Sequence, residues 1–191
     1  MNSRTKVKMI VGIALLMAIM LVLQFISNYI KFGPFSITLA LIPIAVGAML
    51  YGPFTGLLLG AVLGAFILIT GGGEPFFSIN PLATIALCLS KTSIAGFISG
   101  LISRFFRLRH EKVGIVLSSL SVPVINTGIF VAASIVIFTD YLSGLAGEGE
   151  NLLIFVVTGL IGINFLIEFS VNVILSSSIV YLVRLFRSKR Y

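Results

Sequence analysis

The sequence predicts an all-α membrane protein, a compact bundle of six transmembrane helices with both termini on the cytoplasmic side. Composition is the first reason: 58% of the 191 residues are hydrophobic and 10% are charged, and a water-soluble core cannot bury that much apolar surface. The second reason is that the apolar residues form six runs of roughly the length that crosses a bilayer. The third is the position of the basic residues, which cluster on one side of the predicted bundle.

Six apolar runs supply the predicted spans of a single domain that covers residues 1–191. They comprise residues 9–30, 37–51, 54–70, 81–102, 113–138 and 152–185. The first run is too long for the apolar part of a signal peptide, and no small-residue cleavage site follows it, so we expect a retained helix. The second run is short and contains Pro43, which predicts a tilted, kinked or incomplete span. The sixth is longer than a bilayer requires.

Charged residues orient these spans. Most of the 13 Lys and Arg residues fall in three clusters, at residues 4–8, 104–112 and 184–190. Six spans place all three clusters on the cytoplasmic side and most acidic residues on the other side. A nucleic-acid-binding protein would instead gather its basic residues on one exposed face, so no nucleic-acid partner is expected. We predict a multi-pass protein of the cell membrane.

Glycines mark two turns and one packing surface. Gly33-Pro34 and Gly52-Pro53 are typical helix-breaking pairs between the first three spans. Within the third span, Gly56, Gly60 and Gly64 recur at every fourth residue, so they share one helical face. We expect another helix of the same bundle to pack closely against this face.

The reactive side chains of an enzyme are nearly absent. His110 is the single histidine and lies in a basic loop, while Cys88 is the single cysteine and lies in an apolar run. Neither a metal cluster nor a pair of nucleophile and base can be assembled from these residues. Lys91-Thr92 lacks the preceding glycines of a phosphate-binding loop. We predict a non-catalytic protein without cofactor or metal, so any ATP hydrolysis belongs to another subunit.

Polar side chains inside the predicted spans are the candidate binding residues, because charged and amide groups at membrane depth are costly unless they are paired or solvated. They are Lys91 in span four, Asn126 and Thr127 in span five, and Asn164, Glu168 and Asn172 in span six. Lys91 lies ten residues into its span, near the bilayer midplane. The three residues of span six share one helical face.

Two interpretations of this polar set remain open. In the first, Lys91 and Glu168 form a structural ion pair, and the amides only hold the bundle together. In the second, the polar set lines a hydrated cavity that opens to the outside. Lys91 would there meet an anionic or carbonyl group of a ligand, and Asn126, Asn164 and Glu168 would recognise its hydroxyl or amide groups. We favour the second interpretation; a purely structural membrane subunit corresponds to the first.

Aromatic residues in the outer loops suit a lid over a small molecule. Phe76 and Asn80 follow three glycines, and Phe35 follows Gly33-Pro34, so these side chains lie on segments that can move as hinges. Aromatic residues are also common at membrane interfaces, which explains each of them equally well alone. We include Phe35, Phe76 and Asn80 in the candidate substrate site.

Two segments and the size of the chain point to a known family. The first segment, ALLMA, comprises residues 14–18 in the cytoplasmic half of span one. The second, IPIAVGAMLYGPF, comprises residues 42–54 and leads into the glycine-rich third span. With six spans in this length, the chain resembles the substrate-binding S-components of energy-coupling factor (ECF) vitamin transporters. The resemblance implies capture of a water-soluble vitamin from outside and docking on a transmembrane coupling subunit driven by two ATPase subunits. It also implies that Ala14 and Ala18 are the docking motif, and small residues do let another helix pack closely.

The resemblance also suggests a ligand. The segments 80–91 and 123–128 look most like those of pantothenate members, and Lys91 would suit a carboxylate. Riboflavin or another vitamin stays open, because a fold does not determine its ligand. A stand-alone secondary transporter with Glu168 as its proton-coupling group is a further alternative, although the sequence lacks the repeats usual in such proteins.

Overall fold

The computed structural model describes residues 3–29, 31–32, 35–36, 38–71, 74–107, 110–146, 151, 154–156 and 162–188. Its helices are α1 (Ser3–Ser27), α2 (Leu41–Tyr51), α3 (Pro53–Ile69), α4 (Glu74–Phe77), α5 (Pro81–Phe106), α6 (Glu111–Ile137), α7 (Thr139–Ala146) and α8 (Gly162–Ser188). Strands β1 (Lys31–Phe32) and β2 (Phe35–Ser36) form a short antiparallel hairpin. Apart from this hairpin, the regular structure of the described residues is helical, as predicted.

The long apolar runs of the sequence correspond to helices α1, α2, α3, α5, α6 and α8. Among the described residues, α1, α5 and α6 are long and apolar enough to cross a membrane, and α2 and α3 are shorter apolar helices. Helix α1 begins at Ser3 and not at Met9, because the Arg and Lys residues of the first basic cluster are good helix formers. The count of six crossings and the orientation of the termini stay predictions.

The helix bundle has two ends, which we call the outer end and the inner end. The outer end is where α1, α3 and α6 finish and where α2, α5 and α8 begin; the charge pattern predicts that it faces away from the cytoplasm. The inner end is where α2 and α5 finish and where α3 and α6 begin.

Helix α2 lies in the interior of the bundle. It packs against α1, α3, α5, α6 and α8, and Leu41, Ile44 and Ala45 on it are fully buried. Pro43 falls in the first turn, where a helix does not need its missing N–H. With 11 residues, α2 extends only roughly 16 Å. The short second run of the sequence is therefore a buried core helix, surrounded by longer helices.

Gly52 reverses the chain between α2 and α3. Its φ angle is 102°, a conformation that residues with a Cβ rarely adopt. Pro53 follows as the first residue of α3, where its fixed φ favours helix initiation. The reversal therefore takes a single residue between the two helices, as the Gly-Pro pair predicted.

The glycine face of α3 packs directly on the backbone of α5. A Cβ atom added at Gly56, Gly60 or Gly64 would collide with the backbone of Gly96, Thr92 or Cys88, respectively. The Thr92 hydroxyl donates a hydrogen bond of 2.6 Å to the Gly60 carbonyl across this contact. The close approach predicted for the glycine row is thus made within the chain, and it runs antiparallel along α5.

Helices α5 and α6 are joined toward the inner end by a reciprocal pair of hydrogen bonds. The Ser99 hydroxyl donates to the Ser118 carbonyl at 2.8 Å, and the Ser118 hydroxyl donates to the Ser99 carbonyl at 2.9 Å. Both side chains are fully buried. Since each hydroxyl finds its acceptor inside the bundle, these serines stabilise helix packing.

Short elements lie at the outer end. In the β1–β2 hairpin, Lys31 is opposite Ser36 and Phe32 is opposite Phe35. Helix α4 forms a single turn before α5, and α7 follows α6 after one residue. These elements fall in the predicted outer loops, so they are placed to cover the ends of the long helices.

Candidate functional site

Three polar side chains lie at a similar depth on three different helices. Lys91 is ten residues from the start of α5, Asn172 is ten residues from the start of α8, and Asn126 is eleven residues from the end of α6. At 1.5 Å per residue, each is roughly 15 Å from the outer end of its helix. Helix α6 packs against both α5 and α8. We call these three residues the polar tier.

Lys91 is half-buried, and its ammonium faces an aromatic ring. The nitrogen lies 4.9 Å from the centroid of the Phe130 ring, within the range in which a ring face attracts a cation. Phe130 is four residues after Asn126 on α6, one turn nearer the outer end. Lys91 on α5 therefore faces α6 at this depth.

Phe130 belongs to an aromatic cluster on the outer side of Lys91, which we call the aromatic cap. We define it as Phe76, Phe130, Phe138 and Tyr141. Phe76 on α4 is 4% exposed, and its ring centroid lies 5.7 Å from that of Phe130, 4.7 Å from that of Phe138 and 5.9 Å from that of Tyr141. The predicted lid residue Phe76 thus packs against the ring that contacts Lys91.

Glu168 on α8 binds the segment that precedes α2. Its carboxylate accepts a hydrogen bond of 2.7 Å from the backbone N–H of Thr38, and the side chain is 5% exposed. The next N–H in the chain, that of Leu39, donates to the Ser27 hydroxyl of α1 at 3.2 Å. The bond to Glu168 is the shorter of the two. The chain at residues 38–39 is therefore fastened to both α8 and α1.

The polar tier contains carbonyl oxygens that have no hydrogen-bond donor. Asn126 is 5% exposed and Asn172 is 2% exposed, and within the described ranges the Oδ1 atom of each has no partner. The amide nitrogen of Asn172 donates to the Glu168 backbone carbonyl at 2.8 Å. Buried polar atoms are normally paired, so these two oxygens are unused acceptors inside the bundle.

The remaining predicted substrate residues are placed differently. Asn80 is exposed and caps α5, since its side-chain oxygen accepts a hydrogen bond of 3.1 Å from the Ala83 N–H. Thr127 is half-buried and points about 100° away from Asn126 around the helix. Asn164 lies on α8 and Phe35 on β2, but their side chains are outside the described part of the structure. The structure thus brings together only part of the predicted set.

Ala14 and Ala18 lie on the surface of α1. Both are exposed, and exposed Val11 and Leu15 flank them. Helix α1 packs on α2 and α3 with its other side. The two alanines therefore remain accessible to another helix, and docking through them stays a prediction.

Three residues of this site were not assigned to it from the sequence. Phe130 is one of 16 Phe residues, and only its position one turn beyond Asn126 distinguishes it. Thr38 contributes a backbone N–H, which no side-chain pattern can reveal. Asn172 was part of the polar face of span six but was not assigned to the ligand; its spacing of four from Glu168 was the available signal.

The chemistry that these residues offer is recognition of a small polar molecule. Among the described residues, no group of three or more His, Cys, Asp or Glu side chains could hold a metal ion. Cys88 is buried as a free thiol, and His110 is exposed at the start of α6. The polar tier and the aromatic cap instead combine one cation, carbonyl acceptors and aromatic faces, which suit a ligand with an anionic group and hydrogen-bond donors.

Comparisons with known proteins agree with this description. Residues 8–181 match the family model described as ECF transporter, substrate-specific component. The fold is similar to that of the solved structure of ThiT from Listeria monocytogenes, with a TM-score of 0.71 and 21% sequence identity over 95% of this chain and 98% of that chain. No curated protein sequence matches the chain. Because the family model covers nearly the whole sequence, the chain belongs to the family of ECF transporter substrate-specific components.

Proposed function

We propose that this chain is the substrate-capture subunit of an ATP-driven ECF importer in the cell membrane, and that it binds a water-soluble vitamin, with pantothenate favoured, at its outer end. It then delivers the vitamin by docking on a transmembrane coupling subunit, and two partner ATPases supply the energy. Membership of the substrate-specific component family supports the capture role. The chain itself is non-catalytic in this proposal.

The position of the Lys91 ammonium is the observation that supports the proposal most directly. Its ammonium lies roughly 15 Å along α5 from the outer end and faces the Phe130 ring at 4.9 Å. A cation at such depth is costly unless an anion or water compensates it. An aromatic face compensates it only in part. A ligand carboxylate entering beneath the aromatic cap would complete the pairing.

Pantothenate has the groups that this environment requires. Its carboxylate suits Lys91, since an ammonium and a carboxylate form a strong charge-assisted hydrogen bond. Its amide N–H and its hydroxyl groups are donors for the acceptors Asn126 and Glu168. Riboflavin or another vitamin in the same capture role is the alternative, because the family and the fold do not determine the ligand.

The binding experiment starts with purified protein. Mass spectrometry of copurified small molecules identifies a retained ligand, and calorimetric titration then compares pantothenate, riboflavin and thiamine. We expect pantothenate to bind most tightly. If another vitamin binds more tightly, the ligand assignment changes and the capture role stands. If no vitamin binds, the capture role is contradicted.

Docking is tested by uptake in proteoliposomes that also contain the coupling subunit and the ATPases. We expect Ala14→Trp to abolish ATP-dependent uptake, since a bulky ring prevents close helix packing, and to leave vitamin binding unchanged. Ala132→Trp is the matched control, because Ala132 is also exposed but lies on α6. Retained uptake in the Ala14→Trp protein would contradict the docking role. Proton-driven uptake by this chain alone would favour the secondary transporter.

A further inference from the structure

Hydrogen-bond capacity is unevenly distributed around the polar tier. Lys91 supplies up to three N–H donors. On α6, which packs against α5, and on α8, which packs against α6, Asn126 Oδ1 and Asn172 Oδ1 are acceptors without a partner among the described residues. Glu168, one turn outward from Asn172, adds a carboxyl group of which one oxygen already accepts a hydrogen bond from the Thr38 N–H. The tier therefore has a cationic side on α5 and an acceptor side on α6 and α8.

Two buried unpaired carbonyls at the same depth have a physical cost. A carbonyl removed from water without a new hydrogen bond destabilises the fold, and an apolar side chain of similar size would avoid that penalty. The helix packing needs neither oxygen, because neither bonds to another helix in the described structure. Asn172 is held in place through its amide nitrogen, which donates to the Glu168 carbonyl at 2.8 Å. The Oδ1 atom of Asn172 is therefore fixed in position and has no hydrogen-bond donor among the described residues.

We propose that Asn172, together with Asn126, determines ligand specificity by accepting hydrogen bonds from donor groups at the end of the ligand remote from its anion. This inference rests on the proposed capture function and adds a ligand class and an orientation to it. The ligand is a small anionic molecule that also carries at least two N–H or O–H donors. Its anion pairs with Lys91 on α5, and its donors face the two asparagine oxygens on α6 and α8.

The first test needs no ligand. If the Asn172 oxygen is kept for a ligand, Asn172→Leu removes an unpaired carbonyl, and we expect the melting temperature of the ligand-free protein to stay the same or rise. Asn126→Leu should behave in the same way. Thr127→Val, next to Asn126 on α6, is the matched control for a polar-to-apolar change. A clear drop in melting temperature for both asparagine variants would show that their oxygens are structural, and would overturn the inference.

The second test matches each ligand group to a residue. The probes are pantothenate, pantothenol, which has a hydroxymethyl group instead of the carboxylate, and a pantothenate analogue that lacks one hydroxyl. Loss of one hydrogen bond lowers affinity by roughly tenfold. We expect Asn172→Leu to weaken pantothenate by that factor and to have a much smaller effect on the deoxy analogue. Lys91→Met should lose discrimination between pantothenate and pantothenol.

The results of these tests distinguish failure of the inference from failure of the proposed function. If both asparagine variants lose the same affinity for pantothenate and for its deoxy analogue, neither oxygen accepts a hydrogen bond from that ligand hydroxyl. This result overturns the inference although pantothenate still binds. If the wild-type protein does not bind pantothenate, the vitamin proposed above is wrong. The melting temperatures of the ligand-free variants then decide whether the acceptor side is kept for a ligand.

Discussion

The inner and outer halves of the bundle differ in how completely their buried polar side chains are paired. In the inner half, Ser99 and Ser118 exchange hydrogen bonds between α5 and α6. Near the middle, the Thr92 hydroxyl bonds the Gly60 carbonyl across the glycine face. In contrast, the buried side-chain atoms that lack a partner within the described ranges lie toward the outer end. These atoms belong to Gln24, Asn126, Ser134 and Asn172.

The contrast separates scaffold from site by a physical criterion. A polar group whose partner lies inside the protein contributes to packing in the absence of any ligand. A buried polar group without a partner lowers stability, and it is useful only if another molecule completes it. Polarity inside a membrane protein therefore does not mark a binding site; unmet hydrogen-bond capacity is the more specific sign.

Gly60→Val should have the largest effect on stability. Its Cβ would collide with the Thr92 backbone, and overpacking costs about 1–3 kcal/mol or more, so the melting temperature should fall by roughly 5–10 °C. Gly128→Val on α6 is the control, since nothing lies within 4 Å of a Cβ there. Thermal unfolding in detergent measures both variants. Similar melting temperatures would mean that the glycine face is not tightly packed.

Lys91→Met should affect binding and spare the scaffold. The substitution keeps an unbranched chain but removes the charge, so we expect pantothenate affinity to fall by roughly 10–100-fold. Stability should not decrease, because a half-buried cation at membrane depth without a full partner is itself unfavourable. Lys112→Met changes an exposed lysine on α6 and should leave affinity unchanged. Calorimetric titration compares the two, and equal affinities would remove Lys91 from the site.

The serine pair should have a moderate effect on stability and none on binding. An interhelical hydrogen bond in a membrane protein contributes about 0.6 kcal/mol, so Ser99→Ala combined with Ser118→Ala should lower the melting temperature by roughly 2–4 °C. Ser143→Ala is the control, because the exposed Ser143 hydroxyl bonds only within α7. A weakened vitamin affinity in the double variant would show that the inner half is coupled to the site.

Ser27→Ala should have the smallest effect. It removes the bond of 3.2 Å that the Ser27 hydroxyl accepts from the Leu39 N–H and the bond of 2.7 Å that it donates to the Leu23 carbonyl of its own helix; the bond between segments contributes about 0.5 kcal/mol. The adjacent Thr38 N–H keeps its bond to Glu168. Hydrogen exchange should be faster at Leu39 while the melting temperature hardly changes. Ser121→Ala, which removes a bond within α6, is the control; unchanged exchange at Leu39 would mean that Ser27 does not fasten this segment.

Much of the fold could be predicted from local patterns. Apolar runs predicted the long helices, because a helix satisfies its own backbone in lipid. Gly52-Pro53 predicted a reversal, and the glycine spacing predicted a close contact for α3. Lys91, Asn126 and Glu168 stood out because polar residues are rare within such runs. Each of these inferences depends on neighbours in the chain, which a sequence displays directly.

Other features depend on residues that are far apart in the chain. Glu168 and Thr38 are 130 positions apart, and one of the bonding groups is a backbone N–H that every non-proline residue has. Asn80 resembled a lid residue, yet it caps α5 because the helix begins directly after it. Composition and periodicity therefore defined the membrane class, the helices and the short list of polar candidates. Three-dimensional packing decided which candidates meet, which hydrogen bonds remain unmet and that α2 is interior, because these properties arise between helices and not along them.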